Sequence, residues 1–300
     1  MSLRLQMLRA AARSSRRLLD RTARVEAFFR GRLNPDGGFR GRAAASDLYY
    51  TVFAMAGLVA LKAPLPLPDV RRYLDGFAGG DGLDFVHLTC LARCRAILTR
   101  RRPGVLAGRR ALQIRRAILD RLPAFRAADG GFHAVPGAAT GTVYAAFLAH
   151  GVYEDLGSRL PDAAGMVRSV ESLATPDGGY ANQQGQAAGI TTATAAATVV
   201  LADLGAPVRP EVGRWLLARA HPEGGFHATP AASLPDLLST ATALHALAAL
   251  GVPLDAVRAA CLDFVESLWS PEGAFRGHWL DEQLDSEYTW YGLVALGHLG

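Results

Sequence analysis

The sequence predicts an all-α fold, an (α/α)6 toroid of six helical hairpins. Three observations predict it: a turn repeated at an even spacing, a helix-length segment on either side of each turn, and a second segment that is apolar nearly all round. The turn reads Asn34-Pro-Asp-Gly-Gly-Phe39, Ala128-Asp-Gly-Gly-Phe132, Thr175-Pro-Asp-Gly-Gly-Tyr180, His221-Pro-Glu-Gly-Gly-Phe226 and Ser270-Pro-Glu-Gly-Ala-Phe275. Its acidic residue falls at 36, 129, 177, 223 and 272, in steps of 93, 48, 46 and 49. The first step is double, and a worn copy, Gly80-Asp81-Gly82-Leu83, sits inside it. A period of about 48 residues means a repeat architecture. Six units then account for residues 1–300 as a single domain, at approximately 1–62, 63–99, 100–152, 153–205, 206–251 and 252–300.

Ahead of the turns stand amphipathic segments at 20–32, 105–125, 163–174, 210–220 and 254–269. Pro210-Glu211 opens one of them with proline at the first helical position and an acid in the first turn. Behind the turns stand segments of another kind, at 46–62, 84–99, 142–152, 190–204, 236–250 and 285–299. A helix without a polar face is a buried helix. These are rich in Ala, Gly and Thr, as in the run from Thr191 to Thr198, which permits close approach. Gly-Gly after an acid predicts backbone at positive φ. Gly151, Gly205 and Gly251 read as helix ends. The pattern predicts about twelve helices and no sheet; an open solenoid and a closed ring of six inner helices inside six outer ones both fit it, and the all-apolar inner helices favour the ring.

Half of the 300 residues are hydrophobic, enough for a large core, yet no apolar run reaches the 18 or so residues of a membrane span. The segment from Met1 to Arg17 is basic and lacks the apolar core of a signal peptide. It reads as an amphipathic helix on the outside of the fold, with an Arg-rich transit peptide as the alternative. Three cysteines suggest a reducing, cytoplasmic setting and no disulfide framework. Charge is divided: residues 1–150 carry 25 basic and 10 acidic side chains, or +15, and residues 151–300 carry 7 and 17, or −10. The densest basic patch runs from Arg93 to Arg126 and includes Arg100-Arg-Arg102. No nucleic-acid recognition motif accompanies it, so it reads as a solvated face.

The Gly-Gly-Phe turn between an outer and an inner helix, at this period, resembles the α/α-toroid of prenyltransferase β subunits and of squalene and oxidosqualene cyclases. The resemblance covers the full chain and implies a central cavity with the inner-helix starts at its mouth. In the zinc prenyltransferases of that family, three ligands from the fifth and sixth inner helices hold the metal. Their positions fall on Asp236, Leu238 and Tyr288, so two of three are gone, and a catalytic zinc needs three. The family's diphosphate-gripping arginine falls on Thr229, although unit one carries Gly37-Gly-Phe-Arg-Gly-Arg42. The cyclase phrases Asp-x-Asp-Asp and Asp-Cys-Thr-Ala are absent too; Asp81-Gly-Leu-Asp84 is a loose echo.

Most inner helices open on an acid, two residues, an aromatic or polar residue and, in three of them, threonine: Asp47-Leu-Tyr-Tyr50-Thr51, Asp84-Phe-Val-His87, Asp236-Leu-Leu-Ser239-Thr240 and Asp285-Ser-Glu-Tyr288-Thr289. If the ring closes, Asp47, Asp84, Asp236, Asp285 and Glu287 converge near one rim, where burial and like charge raise carboxyl pKa values. A carboxyl kept protonated is a usable general acid. Each aspartate also has a structural reading, since an N-cap is worth ~1 kcal/mol. Arg42, Tyr50, His87 and Tyr288 are candidates to hold substrate at that rim. Phe53, Tyr144, Phe147, Trp290 and Tyr291 lie deeper and suit a cation, at ~1–2 kcal/mol each. Cys90 and Cys94 share a stripe with Asp84 and His87, too long axially for one ion, so no metal site is assigned. Arg93 and Arg95 lie far down their helix and read as a poor clamp for a phosphate entering at the mouth. His245 and His298 read as core residues.

These residues lead to an enzyme that cyclises a long apolar isoprenoid chain by metal-independent acid–base catalysis, with no cofactor. One alternative is a zinc-independent isoprenyl-diphosphate transferase, for which Mg2+ would accompany the diphosphate. Another is a non-catalytic toroid that binds a lipid or a protein; a sugar-processing (α/α)6 barrel is a fourth. The expected partner is an apolar small molecule, with no nucleic acid and no membrane span; peripheral membrane contact and a protein partner stay open.

Overall fold

In the three aspartate turns the acidic residue holds the turn itself. In the computed structural model, which describes residues 3–101 and 108–300, Asp36, Asp129 and Asp177 accept hydrogen bonds from the N–H two residues on, at Gly38 (2.9 Å), Gly131 (2.9 Å) and Gly179 (3.2 Å). This is the local Asx turn. The glycine between must adopt positive φ. Gly224 sits at +98°, and a Cβ there would fall 1.9 Å from the Ala260 carbonyl oxygen. The aromatic that follows is fully buried, and its N–H is received by a threonine hydroxyl one turn into the next helix. Phe39 donates to Thr51, Tyr180 to Thr194 and Phe226 to Thr240, each at 2.9 Å. Thr51 and Thr240 also donate back to the capping aspartate's carbonyl. One threonine therefore ties turn to helix.

The chain opens with α1 (Leu3–Arg13) and a short α2 (Ser15–Leu18). Outer and inner helices then alternate: α3 (Thr22–Arg30), α4 (Leu48–Ala60), α5 (Leu67–Asp75), α6 (Phe85–Arg101), α7 (Arg109–Arg121), α8 (Val143–Asp155), α9 (Ala163–Glu171), α10 (Thr191–Asp203), α11 (Val212–Leu217), α12 (Leu237–Ala249), α13 (Asp255–Ser267) and α14 (Ser286–Leu299). The even-numbered helices from α4 to α14 are the inner ones. Each packs on the next, and α14 packs on α4, so the ring closes. Backbone bonds link neighbouring units at the inner-helix starts: Val143 N–H to Asn182, Thr191 to Ala228, and Leu237 to Gly277, at 2.8–3.1 Å. Residues 102–107 of the basic patch, which include the first three residues of the outer segment at 105–125, lie outside the described residues.

Three sequence expectations need correction. First, α1 is not on the outside. It lies across the C-terminal ends of the inner helices, packed on α14 and α4. Leu3, Met7, Ala10 and Ala11 are buried, and the Arg4 guanidinium forms an ion pair with Asp155 at 2.6 Å, both nearly sealed from solvent. Amphipathicity predicts one buried face, and these residues form it while Arg9 and Arg13 stay exposed; that the face packs across the ends of the inner helices is what the pattern does not carry. Second, Gly151 does not end its helix, since α8 continues to Asp155. Its missing side chain makes room for Arg4, whose Nε would lie 2.7 Å from a Cβ. Third, short ladders exist: Phe226–His227 pairs with Pro235–Asp236, and Trp269–Ser270 with Ala274–Phe275. The turn brings extended flanks side by side, and their backbones bond. No helix among the described residues is long and apolar enough to cross a membrane.

Candidate active site

The ring encloses a cavity of about 540 Å³, within the range of small-molecule sites. Met7 of α1 lines it, so α1 forms its floor. Its wall follows from helix phase. The second residue of five inner helices faces inward: Tyr49, Tyr144, Thr192, Leu238 and Glu287. One turn deeper stand Phe147, Ala195, Ala196, Thr242, Trp290 and Tyr291; deeper still come Arg93 and His245. Tyr144 is 43% exposed, which marks the open rim.

The capping aspartates sit off this wall. Asp47 accepts from Tyr49 N–H (2.6 Å), Asp84 from His87 (2.9 Å), Asp236 from Ser239 (2.7 Å) and Asp285 from Tyr288 (2.9 Å). Successive helical residues are about 100° apart, so the cap and the residue two beyond it face nearly opposite ways. Asp285 is buried and pairs with the Arg42 Nε at 2.8 Å, while Arg42 also reaches Asp281 at 2.9 Å. Arg42 lies over the Tyr288 ring, 5.6 Å from its centroid. These groups lock unit one to unit six. His87 bridges Asp84 (2.8 Å) and Asp47 (3.4 Å) outside the cavity, and its bonds hold the Asp84 carboxyl below the usual range against a burial effect. Burial pushes the Asp236 carboxyl up, while its bonds to Ser239 oppose that. Tyr50 packs on Tyr49, ring to ring at 5.5 Å.

Glu287 is the one carboxylate among the cavity-lining residues. Its Oε1 accepts the Tyr49 hydroxyl at 2.5 Å. Burial raises its pKa to about 7, and the bond from Tyr49 opposes the rise. Burial beside Glu287 also holds the Tyr49 phenol far above its ordinary value, so Tyr49 stays a donor. Phe53 backs the pair, with ring centroids 5.0 Å from Tyr49 and 5.8 Å from Tyr291. Of the residues singled out in the sequence, the structure brings Glu287, Tyr144, Phe147, Trp290 and Tyr291 to the cavity, with Phe53 behind them. It leaves Asp47, Asp84, Asp236, Asp285, Arg42, Tyr50, His87 and Tyr288 at the rim or outside it.

Tyr49, Asn182, Thr192 and Thr242 also line the cavity and were not singled out as site residues. For Tyr49 and Thr192 the missing signal was the phase of the cap: in five of the six inner helices the residue two past it faces inward. Two residues set aside in the sequence belong to the wall as well. Arg93 faces the cavity, and Arg95 turns outward to Asp75 at 2.8 Å. His245 bonds His298 at 3.0 Å, and burial drives their pKa values down to about 4 and about 3, so both stay neutral. The positions implied for zinc do not fit that metal, since Leu238 has no donor atom and Tyr288 lies against Arg42. At the other end of the ring His150, Glu154 and Asp203 cluster, with His150 to Asp203 at 2.8 Å. Glu154 also accepts the Leu3 N–H at 3.0 Å, so the cluster helps seat α1.

The sequence profile of the prenyltransferase alpha-alpha toroid domain matches residues 4–227 and 207–299. No curated protein matches the sequence. Among solved structures, a variant of the type II terpene cyclase MstE from Scytonema, in complex with geranylgeranyl dihydroxybenzoate as substrate, superposes with a TM-score of 0.63 at 16% identity, covering 95% of this chain and 97% of that one. A protein from Actinoplanes gives 0.56 at 18% identity over 93% and 98%, and a polysaccharide lyase 0.57 at 12% over 95% and 97%. At these identities the likeness is one of fold, and it spans both cyclase and sugar-processing chemistries. The chain belongs to the prenyltransferase alpha-alpha toroid family.

Proposed function

We propose that the chain is a terpene-cyclase-like enzyme, which folds a long isoprenoid inside the ring and closes it with a proton from Glu287. The observation that carries this reading is a carboxyl raised to about 7 at the edge of an aromatic-lined cavity. A general acid works best with its pKa near the operating pH. Tyr49 fixes one carboxyl oxygen and leaves Oε2 to carry the proton. The proton adds to the terminal double bond of the substrate and leaves a tertiary cation. The next double bond attacks that cation, forming a carbon–carbon bond and moving the charge along the chain. Loss of a proton to the Glu287 carboxylate ends the sequence, so the product is an isomer of the substrate. Trp290, Tyr291, Phe147 and Tyr144 line the path of the migrating cation, and a ring face turned to it would contribute ~1–2 kcal/mol each. The shared fold with a cyclase that holds a geranylgeranyl substrate supports the assignment.

The test is turnover of C15 to C30 isoprenoids, followed by gas chromatography for products of unchanged mass. Glu287→Gln should lower the rate at least 100-fold with an unchanged melting temperature. Full activity in that variant would sink the assignment. A second reading, a lipid-binding toroid without turnover, is favoured by the structural use of all four capping aspartates. It gains ground if native protein binds isoprenoids and converts none.

A further inference from the structure

The cavity wall contains hydrogen-bond donors and a cation with nothing to accept them. Arg93 is the one arginine among the lining residues. The part of it that is not buried faces the cavity. Among the described residues, no hydrogen bond or ion pair reaches its guanidinium, whose recorded partner is the Trp290 ring, 5.8 Å away. The same ring carries an Nε1–H that is buried and unpaired, and the buried His245 has an unpaired Nε2 on the same wall. Arg4 lies near enough to add positive potential, yet its own charge is taken by Asp155. A buried charge without a partner is costly. The buried arginines Arg4 and Arg95 are matched, with Asp155 and Asp75.

We propose that Arg93, set against the Trp290 ring, is the headgroup site of the cavity, and that the ligand it takes is an isoprenoid carrying a single negative charge, a carboxylate. The proposal rests on the cyclase reading for the isoprenoid tail alone. The guanidinium presents parallel N–H groups that match a carboxylate's two oxygens. A diphosphate carries more charge than one unpaired arginine can neutralise, and the lining residues hold no second cation that is free. Geometry fits the assignment. Glu287 is the second residue of α14 and Arg93 the ninth of α6, seven residues deeper, or about 10 Å along parallel helices. The head then rests near the floor, and the chain runs up past Trp290 and Tyr291 toward Glu287.

The experiment is calorimetric titration of the full chain with three probes: geranylgeranoic acid, its methyl ester, and geranylgeranyl diphosphate without added metal. Native protein should bind the acid at least tenfold more tightly than the ester, and more tightly than the diphosphate. Arg93→Met should bind acid and ester alike, keep the native affinity for the ester within about threefold, and melt no lower than native protein, because it removes an unmatched charge. Arg93→Lys should restore part of the preference. Equal binding of acid and ester by native protein, a preference that survives Arg93→Met, or tighter binding of the diphosphate would each overturn the proposal. Glu287→Gln separates this idea from the catalytic one. It should abolish conversion and leave the acid preference intact. Conversion of neutral isoprenoids without any acid preference would remove the Arg93 site and keep the cyclase.

Discussion

The corners of the ring and the wall of its cavity follow opposite rules. At the corners the same residue types do the same work in unit after unit: an acid folds the turn, glycine reverses it, an aromatic fills the gap, and a threonine fastens the aromatic's N–H. On the wall, the second position of five inner helices changes from unit to unit, with only tyrosine used twice: Tyr49, Tyr144, Thr192, Leu238 and Glu287. Repetition marks what every hairpin needs in order to stack. Divergence at one geometric position marks where the units stop being interchangeable, and the candidate chemistry lies there. Asp285 and Glu287 show the contrast two residues apart: one is sealed in an ion pair and a cap, the other faces the hollow.

This contrast can be broken, and the largest expected effect is on stability. Asp285→Ala removes a helix cap and leaves Arg42 short of a partner at the seam of the ring. It should cost about 3 kcal/mol, and so lower the melting temperature by several degrees by calorimetry. Glu287→Gln should do the reverse, sparing the melting temperature while removing the at least 100-fold of rate expected above, equivalent to about 2.7 kcal/mol. If the two variants exchange these behaviours, the division between corner and wall is wrong.

A third test uses pH. The Glu287 carboxyl sits at about 7 in the folded chain against an ordinary 4.5. Between those values the folded state binds a proton that the unfolded state has released. The resulting stabilisation is full below pH 4.5 and is lost as pH rises through 7. From pH 5 to 8, native protein should lose about 2 kcal/mol relative to Glu287→Gln, seen as melting temperatures that coincide at pH 5 and separate by pH 8, with the variant the higher. Turnover should fall over the same upper limb. A constant difference between the two proteins across that range would show that Glu287 does not titrate there. Smaller again is Thr240→Val, which leaves the Phe226 N–H without its acceptor and should cost about 1–2 kcal/mol. Asp84→Ala removes an exposed cap and should cost about 1 kcal/mol or less, with no effect on turnover.

The corners were legible in the sequence because their work is local. An Asx turn, a positive-φ glycine and a buried aromatic are all specified within six residues. The inner helices were legible because nothing on them is polar enough to face water. Glu287 was legible as an acid, but the sequence grouped it with four aspartates that point elsewhere. Separating them requires the phase of each helix about its axis, and the apolar pattern of an all-round hydrophobic helix carries no phase. Arg93 was passed over because depth along a helix was read as distance from the ligand, whereas the hollow extends to that depth. The place of α1 was illegible for a different reason. Which end of a ring a terminal helix covers depends on Gly151 and Gly297, more than a hundred residues away, where a Cβ would strike Arg4 and the Ala10 carbonyl.

On the cyclase reading, with α1 across the floor, the rim at Tyr144 and Glu287 is the doorway among the described residues. Whatever enters must leave past Tyr144 and Glu287, the way it came. A linear chain that goes in narrow and comes out as a rigid, broader polycycle would then be slow to depart. Release, more than ring closure, would set the pace of the cycle, and a burst of product in the first turnover would reveal it.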